Sequence, residues 1–390
     1  MESPIVIAKG PPQIIKERYY RPELDALRFF AFLCVFYLHT DGYFKIDPTQ
    51  HLWCWRSRVI GAYGVPVFFL LSAYLVTDLL FRERERTGRI HIPSFYMRRI
   101  LRIWPLYFSM FIGLALLNRF IPGVGTDNPK AWLAFTFLWG NWYVIHHGWI
   151  ASPVDPLWSI SIEEQFYLII PILAARGGRR AVIFASWILL ACSYLTVLYY
   201  AIHPPAINAW LNSLVQFQFF CTGTLLALAL RGGTLRLAVP LRVAGFLSGI
   251  ACWLAAVSIG TLVNYPVATR FVASWLLVLI GTIVVFLCTL GTPSRLVPSW
   301  LSYFGKISYG LYIFHSLVLF LLFKKIGIGT IGNFSIPLLL RNHLLASIVR
   351  GLEIVLALGI DLLLAHFSFV YFEGYFLGLK RGFTFVASRD

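Results

Sequence analysis

Charge is scarce in this chain, and acidic charge is scarcest. Only 13% of its 390 residues are charged, about half the share of an ordinary soluble domain. So little charge on so apolar a chain excludes a disordered polypeptide. Cysteine is sparse too: there are six and no CxxC pair, so neither a disulfide framework nor a zinc site is implied. Cys34, Cys192, Cys221, Cys252 and Cys288 fall in apolar stretches, where a free thiol behaves as a small hydrophobe; only Cys54 falls in an expected aqueous loop. The first 23 residues hold no apolar run. No cleaved signal peptide is therefore expected, and the first span must serve as its own insertion signal. A G-x-S-x-G elbow, an H-E-x-x-H pair and a Walker A loop are also missing. Gly327 to Gly332 spells G-x-G-x-x-G, but in an expected loop between helices, where it reads as a turn.

What the chain has instead is apolar length. Hydrophobic residues make up 58% and aromatics 17%, and stretches of about 20 apolar residues recur from Leu24 to Tyr371. The expected fold is all-α: a polytopic integral membrane bundle of about ten transmembrane helices. The spans fall near 24–41, 59–80, 100–117, 157–174, 181–201, 211–230, 238–260, 271–290, 301–323 and 344–372. One transmembrane domain over 24–376 is expected between a cytoplasmic N-terminal segment, 1–23, and a cytoplasmic C-terminal tail, 377–390.

The segment 131–149 is apolar as well. Counting it as a crossing gives eleven spans and places the arginine cluster at 176–180 opposite the arginine-rich loop 81–99. Leaving it out makes it a Trp-rich interfacial or re-entrant element and gives a consistent charge bias. Of the 33 basic residues, 21 then fall inside and 9 outside, with Arg28, Arg102 and Arg350 within spans. This predicts a multi-pass protein of the cell (inner) membrane with both termini in the cytoplasm. The net charge of +16 is thereby read as a topology signal rather than a nucleic-acid footprint, so no nucleic-acid partner is expected; the oligomeric state stays open.

Ionisable side chains inside spans cost a few kcal/mol each and are functional candidates by default. Arg28 and His39 are eleven residues apart, which leaves them within about 20° of each other on one helix face. Taken singly, they read as a snorkelling arginine and an interfacial histidine; on one stripe they point to function. In the run from Asp155 to Tyr167, Asp155 and Pro156 suit a helix start, or Ser161 and Glu164 form a capping box. Either way Glu163 is left without a local duty at the outer end of a span. Arg98, Arg99 and Arg102 gather near the inner surface, with Arg98 and Arg102 at i, i+4. The positive-inside rule accounts for the first two but does not require Arg102, and arginine forks suit phosphate. Ser308, Tyr312 and His315 form a polar stripe at i, i+4, i+7, read equally as interhelical glue or as a substrate contact. No metal site is expected.

Five motifs carry a resemblance: PELDALRFFAFLCVFYLH (22–39) with its Arg-x10-His spacing, GVPVFFLLSAYL (64–75), YMRRILRIWPLY (96–107), WSISIEEQFYL (158–168) and FGKISYGLYIFH (304–315). In this order they resemble the membrane-bound acyltransferase family 3, the many-spanning O-acyltransferases that modify sugars, over about residues 22–376. The chain departs from the pattern at Ala26 and Ala73, where glycine is usual, and in YFEGYF (371–376), which lacks a proline after the glutamate. The resemblance implies transfer of an acyl group to a hydroxyl of a carbohydrate, a cell-surface polysaccharide or a glycosylated small molecule. The donor would be acetyl-CoA or another acyl-CoA, a cosubstrate and not a permanently bound cofactor. It also implies that His39 and Arg28 are the principal catalytic pair, supported by Glu163 and by Arg98, Arg99 and Arg102. Elementary chemistry agrees: a neutral imidazole can take a hydroxyl proton as the oxygen attacks a thioester, and a nearby cation or donor stabilises the oxyanion. On this reading acyl-CoA reaches from the inner arginines towards His39, and Glu163 orients the imidazole. The rival class is a transporter or flippase, which predicts inverted repeats and broken helices in matching halves; neither is evident.

Overall fold

The structure is a computed structural model that describes residues 20–40, 52–203, 207–235, 237–260, 267–326 and 343–386. The expected N-terminal segment up to residue 19 and the G-x-G-x-x-G at 327–332 lie outside the described residues. Among those described, every regular element is helical, as the hydropathy predicts. In chain order the helices are α1 (Pro22–His39), α2 (Leu52–Ile60), α3 (Gly64–Thr87), α4 (Ile92–Asn118), α5 (Pro129–Thr136), α6 (Gly140–His147), α7 (Trp158–Ile202) and α8 (Ile207–Leu211). They continue with α9 (Ser213–Leu230), α10 (Val239–Ile259), α11 (Ala268–Thr289), α12 (Ser299–Lys306), α13 (Ser308–Leu319), α14 (His343–Phe367) and α15 (Gly374–Lys380). Cys54 thus lies in α2 and not in a loop.

Among the described residues, seven helices are long and apolar enough to cross a bilayer, or eight when α12 and α13, bent by 69°, count as one span. The chain is a multi-pass membrane protein. Helix α7 has 45 residues, about 68 Å at ~1.5 Å per residue, more than twice the ~30 Å of hydrocarbon it would cross. It breaks at Gly178, whose φ of 66° and ψ of −164° are not helical and suit a residue without a Cβ. Near the start of α7, Gln165 accepts from Ser213 Oγ at 2.5 Å; near its end, Ser193 donates to the Leu214 carbonyl at 2.6 Å. Its middle lies at the opposite end of α9, where Arg179 donates to the Leu228 carbonyl at 2.9 Å. So α7 doubles back at Gly178, and its two arms take the fourth and fifth expected spans. With α1 included, each of the ten expected spans falls on a helix or a helix arm.

The same break settles the segment 131–149. Helices α5 and α6 have eight residues each, about 12 Å, and neither can cross. Arg84, in the last turn of α3, donates to the Ala174 carbonyl at 3.2 Å. The loop at 81–99 and the cluster at 176–180 therefore share one end of the bundle, as the ten-span reading requires.

Close packing sets the α12–α1 contact. A Cβ on Gly305 would run into the backbone of Asp25, so the glycine lets the two helices touch, a common device where helices pack in lipid. Residues 377–386 of the expected C-terminal tail pack against the bundle. A π-helical turn (Ser368–Glu373) leads into α15, the ring of Phe385 stacks on His91 at 4.4 Å, and Val386 is buried.

Candidate active site

A cavity of about 590 Å³ runs along one face of α3. Its α3 wall extends from Val65 to Glu83, about 27 Å at ~1.5 Å per residue, nearly the thickness of the hydrocarbon core. The lining residues recur at three- and four-residue steps, as one face of a helix must. Towards the Glu83 end the walls are cationic, with Arg28, Arg98, Arg99, Arg102, Lys380 and Arg381. Further along come Ser72, Glu163 and Tyr167, and then Phe68, Ser159 and Tyr312.

The three expected arginines all face the cavity but are held differently. Arg98 is pinned, 2.7 Å from the Glu83 carboxylate and 2.6 Å from the Phe383 carbonyl. The Arg99 guanidinium lies over the Tyr167 ring at 4.9 Å and near that of Phe95 at 5.6 Å. Among the described residues Arg102 makes neither a hydrogen bond nor an ion pair. Arg28 pairs with Asp25 at 3.1 Å, one turn away on α1. It belongs to the cationic end, since His39 is roughly 16 Å further along the helix at ~1.5 Å per residue.

The carboxylate expected beside His39 is elsewhere. Glu163 Oε1 accepts from Ser72 Oγ at 2.5 Å and from the Tyr167 hydroxyl at 2.5 Å, and those two hydroxyls also meet. Glu163 makes no hydrogen bond to His39. Neither expected cap forms either. A 3₁₀ turn (Asp155–Leu157) precedes α7, and the Asp155 carboxylate accepts from the backbone of Ile150, Ala151 and Ser152 at 2.9, 2.7 and 3.3 Å. Ser161 accepts from the Gly140 amide at 3.2 Å, while Glu164 accepts from the Trp104 indole at 3.2 Å. Glu164 thus binds α4 across the bundle rather than capping its own helix.

The polar partner of His39 is His315. Half-buried at the end of α1, His39 brings its Nδ1 to 2.9 Å from the Val35 carbonyl and 3.2 Å from His315 Nε2. His315 is fully buried, with its Nδ1 2.6 Å from the Tyr312 carbonyl and its ring edge-on to Phe32. One turn back, the Tyr312 hydroxyl donates to the Pro156 carbonyl at 3.0 Å and meets Ser159 Oγ at 2.6 Å. The ring of Tyr312 touches both Phe68 in the cavity wall, at 6.0 Å between centroids, and His315, at 5.4 Å. The expected polar stripe is therefore split. Ser308 and Tyr312 line the cavity, whereas His315 lies behind Tyr312 and joins His39. Among the described residues, no three of His, Cys, Asp and Glu gather closely enough to hold a metal ion.

Sequence reasoning passed over Ser72, Tyr167 and Ser159. All three stand in the quoted motifs, and Tyr167 is one turn from Glu163, which was the available signal. Isolated hydroxyls are common in membrane helices, so nothing local set these apart. Lys380 and Arg381 were missed because their stretch reads as a tail.

Residues 21–348 match the family model Acyl_transf_3, an acyltransferase domain. The chain belongs to this acyltransferase family. The peptidoglycan O-acetyltransferase OatA of Listeria monocytogenes is 28% identical over 204 residues, which cover 47% of this chain and 30% of that protein. The O-acetyltransferase OatA of Staphylococcus aureus is 32% identical over 161 residues, 40% of this chain and 24% of that protein. The chain thus matches less than a third of the length of either relative. No solved structure matches it. The site residues of this acyltransferase-family chain fall into two groups: a cationic group at one end of a membrane-deep cavity, and an imidazole pair one residue layer beyond the other.

Proposed function

We propose that this chain is a membrane O-acyltransferase that moves an acyl group, acetyl from acetyl-CoA, to a hydroxyl of a cell-wall glycan. The observation that carries the reading is the cavity, which leads from a cluster of guanidinium and ammonium groups to the layer behind which His315 and His39 pair. Coenzyme A is a phosphorylated head on a long thin arm. Arg99, Arg102, Lys380 and Arg381 suit the phosphates, and the stretch along α3, where Phe68, Leu75 and Leu79 alternate with the hydroxyls of Ser72, Tyr167 and Ser159, suits the arm with its amides and thioester. Arg28 adds a cation at the same end.

The transfer itself is proton-balanced around His39. Its imidazole takes the acceptor's hydroxyl proton as the oxygen attacks the thioester carbonyl. The tetrahedral intermediate then collapses, the carbon–sulfur bond breaks, and the departing thiolate recovers the proton from the imidazolium. The products are the acyl ester and free CoA. Donor and acceptor approach from opposite sides of the Phe68–Ser159–Tyr312 layer, which has to part for the thioester to meet the imidazole. The peptidoglycan acetyltransferases among the relatives support a glycan acceptor. The basic-residue bias, with 81–99 and 176–180 at one end, supports a cell-membrane location with both termini in the cytoplasm, where acyl-CoA is found.

The test uses purified full-length protein with acetyl-CoA and soluble peptidoglycan fragments, and mass spectrometry to read the ester formed. His39→Ala and His39→Gln should each lower turnover by about 10²- to 10⁴-fold. A normally produced variant that keeps wild-type acetylation overturns the assignment.

A further inference from the structure

We infer that His315 is a positioning residue that, together with the Val35 carbonyl, fixes which nitrogen of His39 acts as base. This rests on the reading of His39 as the base; the arrangement itself follows from counting donors and acceptors. A carbonyl oxygen can only accept. The Tyr312 carbonyl lies 2.6 Å from His315 Nδ1, so that nitrogen carries a hydrogen. A second proton on Nε2 would leave a cation in a fully buried site with no carboxylate among the described residues hydrogen-bonded to it, at a cost that buried charges do not meet without a partner. His315 Nε2 therefore presents a lone pair.

That lone pair is 3.2 Å from His39 Nδ1, and the Val35 carbonyl is 2.9 Å from the same atom. Two acceptors converge on one nitrogen, and only a protonated Nδ1 satisfies them. His39 is then held as the tautomer whose Nε2 is bare, which is the atom that must receive the acceptor's proton. When Nε2 gains it, the charge-assisted bonds from Nδ1 to Val35 and His315 strengthen. A histidine does here what a carboxylate does in many catalytic sets. The carboxylate expected for the task, Glu163, is bonded to Ser72 and Tyr167 instead.

Two measurements test this. In full-length protein labelled with ¹⁵N-histidine, with the His39 signals assigned by their loss in His39→Gln, wild-type His39 should show a protonated Nδ1 and a bare Nε2. This needs neither substrate nor activity, and a bare Nδ1 overturns the inference. The second is turnover with acetyl-CoA and soluble peptidoglycan fragments in His315 variants. His315→Gln can place a carbonyl oxygen near the position of Nε2 and should keep most of kcat. His315→Asn can still donate to Tyr312 but cannot reach His39, and should lose about 10- to 100-fold in kcat with both KM values unchanged. Equal, wild-type rates in the two variants would reduce His315 to packing and overturn the inference. If either variant is not produced, the wild-type ¹⁵N spectrum decides through the coupling between His39 Nδ1 and His315 Nε2 across their shared hydrogen bond: its presence is expected, and its absence overturns the inference. If His39→Ala remains active while wild-type Nδ1 is protonated, the catalytic reading fails and the tautomer assignment stands.

Discussion

The two ends of the cavity are held together by opposite means. At the cationic end, charge is matched by charge or by an aromatic face: Arg98 by Glu83, Arg28 by Asp25 and Arg99 by the Tyr167 ring. Beyond the other end, Ser159, Tyr312, His315 and His39 hold one another through neutral donors and acceptors, and among the described residues no carboxylate bonds to either imidazole. The difference follows from burial: His315 is fully buried, and an ion buried without a partner costs several kcal/mol, whereas the arginines of the cationic end line the cavity. On the proposed function, proton transfer is therefore left to groups that are neutral until the moment of reaction, and recognition of a multiply charged donor to the cationic end.

The comparison makes unequal predictions for the arginines. The largest effect is expected at Arg98. Glu83 is 2% exposed, and Arg98→Ala leaves that carboxylate buried without its cation, at about 3–5 kcal/mol of stability. It also frees the Phe383 carbonyl, and with it the C-terminal wall of the cavity. Denaturation in detergent should show the loss, and the double variant with Glu83→Ala should regain part of it. A stable Arg98→Ala protein with only a raised KM for acyl-CoA would move Arg98 into the donor site.

Arg102 is the counter-case. It makes neither a hydrogen bond nor an ion pair among the described residues, its electrostatic counterpart is the buried Glu373 carboxylate, and it faces the cavity, so its removal costs the fold less than that of Arg98 and the donor more. Losing a charge-assisted hydrogen bond to phosphate, worth about 1.5–3 kcal/mol, corresponds to a 10- to 100-fold rise in KM for acetyl-CoA, with kcat little changed. An unchanged KM would return Arg102 to the topology signal from which it was first set apart.

How much of this was legible in the sequence follows the range of each contact. The spans were legible because apolar length is a local property, and the fold-back of α7 was legible in Gly178 and its flanking arginines. Arg28 and His39 could be placed on one face of α1 because helical geometry fixes that within eleven residues. What was not legible is pairing at long range. His39 meets a histidine 276 residues away, and Glu163 meets a serine 91 residues away. Arg98 is anchored by a carbonyl 285 residues on, in a stretch whose composition reads as a tail. Glu163 was expected beside His39 because both belong to the outer ends of spans, but shared depth does not decide which helix faces turn towards each other.

The smallest effect is expected at Tyr312, in the layer where the two regions meet. Its hydroxyl bonds to Pro156 and Ser159, which are also 3.1 Å from each other. Tyr312→Phe therefore strands no buried group and should cost only about 0.5–1.5 kcal/mol of stability, the range of a neutral hydrogen bond. The ring contacts with Phe68 and His315 remain, so KM for acetyl-CoA should stay at its wild-type value and kcat should move by less than about tenfold. A fall in kcat well beyond that, in a protein of near-wild-type stability, would mean that the hydroxyl touches the reacting atoms. The neutral region would then begin at the cavity wall, with Tyr312 a member of the reacting set and no longer the layer that covers it.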